Sequence, residues 1–102
     1  MTGKVHLEVM SAFAEVLGMP DRSEEALPEH DGAEDQSVRA FLARLAAKYQ
    51  YFGDIAFDSN TQELTGGVMI FCNGRDLELS DWLETKLSDG DSLTIVPVIP
   101  GG

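Results

Sequence analysis

The chain has 102 residues, enough for one compact domain, and its 43% hydrophobic content is that of a globular protein rather than a disordered one. Lys and Arg number 7 against 18 Asp and Glu, which gives a net charge of −11. Such a surface repels phosphate backbones and anionic lipid, so we expect neither nucleic acid nor a membrane as a partner. It favours docking on a basic surface of another protein.

The cysteine content and the start of the sequence both point to the cytoplasm. Cys72 is the one cysteine, which excludes an internal disulfide and a cysteine-rich metal site and fits a reducing compartment. Residues 1–4 run into a strand-like stretch with no apolar signal segment before it. We therefore expect a cytoplasmic protein.

The first predicted elements are a strand and a short helical piece. Residues 4–10 alternate, which is typical of a half-buried strand. Val5, Leu7 and Val9 form the predicted inner face, and His6, Glu8 and Met10 form the outer face. The alanine-rich segment Ser11–Leu17 favours a turn or short helix that ends at Gly18-Met19-Pro20.

Residues 18–36 are acidic and interrupted by proline and glycine. Seven of the 18 acids lie here. The composition predicts a solvated surface loop, with a short edge strand near Ala26 and Leu27. The alternative is an electrostatic docking patch.

Residues 37–51 carry the strongest helical pattern. Their apolar stripe has the spacing of one helix face and consists of Val38, Phe41, Leu42, Leu45, Ala46 and Tyr49. Ser37 or Asp35 can cap the start, and Gly53 is expected to follow the end. One apolar stripe of this kind must pack on a sheet.

The rest of the chain is predicted to be mainly strands. Residues 57–67 are polar and predict a loop with a turn at 58–60. Val68–Cys72 predicts a buried strand, and Asn73-Gly74 after it is a strong hairpin signal. A connector over residues 79–87 has Trp82 and Leu83 as packing residues, and residues 89–91 turn the chain into a last strand over 92–98. One helix on a mixed sheet of four to five strands is an α+β arrangement.

We find no catalytic constellation in the sequence. His6 and His30 have no cysteine or serine neighbour at motif spacing, and no phosphate loop, dinucleotide fingerprint or metal-ligand pair is present. Cys72 lies in an apolar run without a local base, which favours a buried structural thiol over a nucleophile.

The last residues could carry chemistry of another kind. Pro97 and Pro100 keep the end extended, and Gly101 and Gly102 have no side chains, so the tail could thread a narrow channel of another protein. Its ionised carboxylate could attack the α-phosphate of ATP to form an acyl-adenylate. From these residues alone, a frayed tail without function is an equal alternative.

Two segments resemble the MoaD/ThiS family of ubiquitin-like sulfur carriers. Residues 68–76 look like that family's strand and Asn-Gly turn, and residues 87–102 look like its Asp-Gly-Asp turn, last strand and terminal Gly-Gly. The opening strand and the helix fit the same plan. The resemblance implies a β-grasp fold with the first and last strands parallel at the sheet centre, a single domain over 1–97 and a flexible tail over 98–102.

The resemblance also implies a carrier rather than an enzyme, with no bound cofactor or metal. A ubiquitin-activating-type adenylating enzyme would use ATP and magnesium to activate Gly102, with Gly101 as its partner, while Val98, Ile99 and Pro100 would contact that enzyme. A cysteine desulfurase or rhodanese-type sulfur donor would supply the sulfur of a thiocarboxylate. A client enzyme would receive the sulfur for molybdopterin, thiamine, cysteine or thiolated tRNA.

Two alternatives keep the fold and change the function. One is a ubiquitin-like modifier joined to target lysines through Gly102, and the other is a β-grasp interaction module with an inert tail.

Overall fold

The computed structural model describes residues 3–27, 36–77 and 82–98. Within these residues, a five-stranded mixed sheet packs on one face against helices, and both layers contribute to one hydrophobic core. This is the predicted α+β, ubiquitin-like β-grasp architecture, and the prediction is confirmed.

The sheet has the order β2-β1-β7-β5-β6. The central strands β1 (Lys4–Val9) and β7 (Ser92–Pro97) are parallel, with Leu7 opposite Leu93. Strand β2 (Arg22–Ala26) pairs antiparallel with β1, and β5 (Val68–Cys72) pairs antiparallel with β7. Strand β6 (Arg75–Asp76) completes the other edge, and β3 (Phe57–Asp58) with β4 (Glu63–Leu64) forms a separate small hairpin.

Three α-helices and a 3₁₀ turn connect these strands in the described residues. Helix α1 (Ser11–Leu17) ends at Gly18, which adopts a left-handed conformation with φ 68°. Helix α2 (Val38–Lys48) begins at Ser37, whose hydroxyl accepts a hydrogen bond of 3.2 Å from the Ala40 N–H, so Ser37 is the N-cap. Helix α3 (Gln50–Ile55) follows at once, and the 3₁₀ helix Trp82–Glu84 lies before β7.

The predicted apolar faces meet in the core. The inner face of β1, most of the α2 stripe and the inward residues of the last two long strands are buried: Val5, Leu7, Val9, Val38, Phe41, Leu42, Leu45, Ile70, Leu93 and Ile95. Ala46 and Tyr49, at the end of the predicted stripe, are only partly buried against this core. Alternation along the strands and the 3.6-residue period of α2 therefore predicted the centre of the core correctly.

Two predictions for residues 49–67 are wrong. The segment expected to be a polar loop contains the β3–β4 hairpin, and its Phe57 is fully buried. Gly53 lies inside α3 rather than after the main helix. A Cβ on Gly53 would lie 3.4 Å from both the Cβ and the carbonyl oxygen of Ala46, so α3 packs against α2 at this position.

The acidic segment contains more regular structure than expected. Its predicted edge strand is β2, which begins earlier than expected, at Arg22, and ends at Ala26, while Leu27 is buried beyond it. Glu25 points toward the helix layer, where its carboxylate pairs with the Lys48 ammonium at 3.1 Å. Residues 28–35, which include His30 and Asp35, lie outside the described residues.

Arg39 of α2 makes polar contacts with two neighbouring elements. Its guanidinium donates to the Glu84 carboxylate at 2.8 Å and to the Glu63 carboxylate at 3.2 Å, and it also donates to the Gln62 carbonyl. The small hairpin and the 3₁₀ turn are thereby held against the start of the main helix.

The burial of Leu45 predicts a large loss of stability on truncation. Leu45→Ala leaves a cavity between α2 and the sheet and should lower the free energy of unfolding by about 2–5 kcal/mol. Denaturant unfolding measures the change, with Ala47→Ser on the exposed side of the same helix as the control. A loss no larger than that of the control would contradict the assigned packing.

The turns before and after β5 predict different effects of alanine at two glycines. Gly74 has φ 81°, so Gly74→Ala should destabilise by about 1–2 kcal/mol although its Cβ would meet nothing within 4 Å. Gly66 is equally open and has no positive φ, so Gly66→Ala should be neutral or stabilise by about 0.4–1 kcal/mol. Equal shifts in thermal unfolding for the two variants would refute the conformational explanation.

Candidate functional site at the end of the last strand

The chain leaves the sheet at the end of β7. Pro97 pairs with Val68, and the Val98 N–H donates a hydrogen bond of 2.9 Å to the Gly67 carbonyl. Val98 is 38% exposed, which leaves its side chain accessible to a partner. The other four predicted site residues, Ile99, Pro100, Gly101 and Gly102, lie outside the described residues, so their roles and the domain division at residue 97 stay predictions.

An apolar area lies on the outer sheet face beside this exit. Met69 of β5 pairs with Val96 of β7, and both are partly exposed, while their neighbours Val68, Ile70 and Ile95 are buried on the inner face. Met10 follows β1 at the same end, and 44% of it is exposed. An exposed, partly apolar sheet face therefore adjoins the point where the chain leaves the sheet.

The far half of the outer face is polar. His6 faces away from the core, as expected, and its Nδ1 lies 3.2 Å from the Glu24 carboxylate. Glu8 and Arg22 form a loose pair at 4.0 Å in the next row, and Ser92 lies opposite His6 on β7. No group of three or more His, Cys, Asp or Glu side chains suitable for a metal ion occurs in residues 3–27, 36–77 and 82–98.

The residues that carry the family resemblance have a structural task. Asn73 and Gly74 have φ of 54° and 81°, as the predicted hairpin turn requires. The Asn73 side chain accepts a hydrogen bond from the Ser92 N–H at 2.9 Å and donates one to Asp91 at 3.1 Å. Asp91 in turn accepts from the Ser88 N–H at 2.8 Å. The Asn-Gly and Asp-Gly-Asp motifs are therefore bonded to each other and position the start of β7, a link that their separation in sequence conceals.

Cys72 is only partly buried, which corrects the expectation of a buried thiol. It is the last residue of β5 and packs against the margin of the hydrophobic core. Desolvation, and secondarily the negative charge of Asp91, raises the pKa of the Cys72 thiol above its ordinary value. The thiol is therefore protonated at neutral pH, which disfavours a nucleophilic role.

The fold defines a class of protein, the ubiquitin-like β-grasp domains. Comparison with known sequences identifies the family within that class. The profile of the ThiS family matches residues 19–102. The chain belongs to the ThiS family, as the sequence resemblance indicated.

Known relatives agree with this assignment. The chain is 34% identical to the sulfur carrier protein CysO of Mycobacterium tuberculosis over 71 residues, which cover 69% of this chain and 76% of CysO. The small archaeal modifier protein 1 (SAMP1) of Methanosarcina acetivorans superposes with a TM-score of 0.71 at 25% identity, covering 100% of this chain and 99% of that one.

A third comparison supports the fold alone. A chain of the BexX/CysO complex of Amycolatopsis orientalis superposes with a TM-score of 0.68 at 19% identity, covering 96% of this chain and 99% of that chain.

Within the described residues, none of the helices has the length and apolar character needed to cross a bilayer.

The environment of Cys72 predicts slow thiol chemistry. Because the thiolate is the reactive form, alkylation by iodoacetamide at pH 7.5 should be slower than for free cysteine, and the midpoint of its rate–pH profile should lie above the ordinary thiol value. Asp91→Asn should move the midpoint downward by removing a negative charge. A midpoint at or below that of free cysteine would show that the thiol is activated.

Proposed function

We propose that this protein is a sulfur carrier whose C-terminal carboxylate, on Gly102, is the reacting group. The observation that carries the proposal is the course of β7, which runs through the centre of the sheet and delivers the chain at an exposed end beside an apolar surface. Membership of the ThiS family and similarity to a protein named as a sulfur carrier support it. On this proposal the protein is a co-substrate of other enzymes rather than an enzyme, and it works in the cytoplasm.

The first proposed step takes place in an adenylating enzyme of the ubiquitin-activating type, which binds ATP and magnesium. A carboxylate oxygen of Gly102 attacks the α-phosphate of ATP. A bond forms between that oxygen and phosphorus, the bond from the α-phosphate to the bridging oxygen breaks, and pyrophosphate leaves. The carrier supplies only a main-chain carboxylate in this step. Its tail must therefore be long enough to reach the ATP and free of bulky side chains.

The second proposed step replaces oxygen by sulfur. A persulfide on a cysteine desulfurase or rhodanese-type donor attacks the acyl carbon, and AMP leaves with its electron pair. The resulting acyl disulfide is then cleaved by a thiol, which forms a new disulfide with the donor's sulfur and releases the Gly102 thiocarboxylate. A client enzyme consumes that sulfur in molybdopterin, thiamine, cysteine or thiolated-tRNA synthesis.

We propose that the adenylating enzyme docks on the outer sheet face beside the tail. Met69, Val96 and Met10 offer apolar contact there, and Val98 leads from this surface into the tail, with Ile99 and Pro100 after it. The net charge of −11 suits a partner whose binding surface is basic.

A second function has support from one comparison. SAMP1, which superposes over the whole chain, is named as a modifier protein. The same Gly102 adenylate would then be attacked by a lysine amine of a target, so that an isopeptide bond forms and AMP leaves. Lysine-linked adducts in cells would favour the modifier, whereas a pool of free thiocarboxylate, visible by intact mass as a gain of about 16 Da when sulfur replaces oxygen, would favour the carrier.

The tail proposal predicts loss of adenylation without loss of folding. Deleting Gly102 retracts the reacting carbon by about 3.3–3.6 Å, and adding one residue after it pushes the carboxylate past the ATP by the same distance. Gly101→Val should also fail, because its side chain crowds the channel and restricts φ. ATP–pyrophosphate exchange with the cognate adenylating enzyme should fall to background for all three variants, with melting temperatures nearly unchanged.

The matched control for this experiment is Gly66→Ala, a glycine of the folded domain that tolerates a Cβ. It should exchange at the wild-type rate. Exchange at the wild-type rate by the protein lacking Gly102 would instead show that the tail is not the reacting group, and the inert-tailed module would become the better description.

A further inference from the structure

Exposed apolar side chains continue onto the helical side of the tail exit. The large hydrophobic residues that the described structure leaves exposed are Met10, Val16, Tyr51, Ile55 and Val98. Val16 at 54% and Tyr51 at 56% are the most exposed of these. Single exposed apolar residues are ordinary, but a contiguous set of them marks an interaction surface.

Val16 and Tyr51 lie on helices that pack against each other. Val16 is in the last turn of α1, which ends at Gly18. A Cβ on Gly18 would lie 3.4 Å from Cδ2 of the Tyr51 ring, so the ring of α3 lies over the end of α1. Tyr51 and Ile55 are four residues apart on α3 and therefore share one face of that helix. We call Val16, Tyr51 and Ile55 the α1–α3 band.

Hydrogen bonds connect this band to the tail exit. The Ile55 carbonyl accepts a bond of 2.8 Å from the Thr65 hydroxyl. Two residues later, the Gly67 carbonyl accepts the bond from the Val98 N–H. The band thus begins beside the point where the tail leaves the sheet, on the side away from Met69 and Val96.

The charged residues within α1 and α3 are acidic. Glu15 and Asp54 are exposed on the same two helices. Residues 9–21 and 49–74 contain no Lys or Arg. Two copies meeting through this surface would bring acidic rims together, so charge disfavours self-association. An apolar surface with an acidic rim complements an apolar pocket flanked by Arg or Lys.

We infer that the α1–α3 band is a second contact surface for the adenylating enzyme, with Tyr51 as the anchoring side chain. The inference rests on the proposed function, since an enzyme that binds the tail also covers Val98 and the protein surface next to it. The enzyme then holds the exit from both sides, through the sheet face on one and the band on the other. A tyrosine that brings a large rigid ring into a pocket is a common anchor of protein interfaces.

The test is ATP–pyrophosphate exchange as a function of carrier concentration, with the full chain and the cognate adenylating enzyme. Tyr51→Ser should raise the half-saturating carrier concentration about tenfold and leave the maximal rate unchanged, because the band contributes to binding and not to chemistry. Gln50→Ser is the matched control: it is the adjacent, exposed, polar position of the same helix and should change neither value. Val16→Ser repeats the test on α1 if Tyr51→Ser lowers the melting temperature.

A charge variant of the carrier tests whether the enzyme surface around the band is basic. Asp54→Asn should weaken binding at low salt and reduce its salt dependence, because it removes one attractive charge.

The outcomes separate the two proposals. Equal half-saturation for the wild type, Tyr51→Ser and Val16→Ser, together with active exchange, would overturn the band and leave the carrier function intact. Absence of exchange by the wild type would overturn the proposed function and this inference with it. Sedimentation that shows a wild-type dimer abolished by Tyr51→Ser would assign the band to a second copy and also overturn the inference.

Discussion

The arrangement of this protein depends on the parallel pairing of its first and last strands. The His6 N–H bonds the Asp91 carbonyl at 2.8 Å, and the pairing continues to Val9 opposite Ile95. Parallel neighbours point their carboxyl ends in one direction, so α1 and the outgoing tail must emerge at the same end of the sheet. The helices between the two strands supply the crossover that such a pair requires and cover one face of the sheet. The location of the site is thus a result of topology before any side chain is considered.

The residues that position the start of β7 are separate from the exposed apolar residues around the tail exit. Asn73 and Asp91 are bonded together where β7 begins, one strand length from the exit. They fix the starting position of β7 and contact nothing at its far end. The Asn-Gly and Asp-Gly-Asp motifs, on which the family resemblance is based, therefore position the strand that leads to the tail. The exposed apolar side chains around the exit lie outside these motifs. A conservative change at Asn73 would disturb the site from a distance by altering where β7 starts.

Sequence patterns predicted the long elements well because periodicity needs length. Alternation predicted β1, a continuous apolar run before Asn73-Gly74 predicted β5, and a run rich in Leu, Ile and Val after a turn predicted β7. The 3.6-residue stripe predicted α2, which ends at Lys48, a few residues before the end of the predicted segment. The β3–β4 hairpin has two residues in each strand, too few to show a period, so nothing local marked Phe57 as a core residue. Gly53 has the residue type that is typical after the end of a helix, and only the structure shows that it lies within α3 and faces Ala46 of α2. For the site, the chemistry of the tail could be argued from residue types alone. No sequence pattern distinguishes Tyr51 from a buried aromatic residue at the end of a helix, and only the structure shows that it is exposed.

The pairing of the two terminal strands also determines how the domain responds to mechanical force. A pull on the chain beyond Val98, opposed at the start of β1, draws two parallel neighbours past each other along their length. All the hydrogen bonds between β1 and β7 then bear the load together in shear, instead of opening one after another as they would in a hairpin pulled from its open end. The strand from which the proposed reactive tail emerges therefore resists extraction by its end.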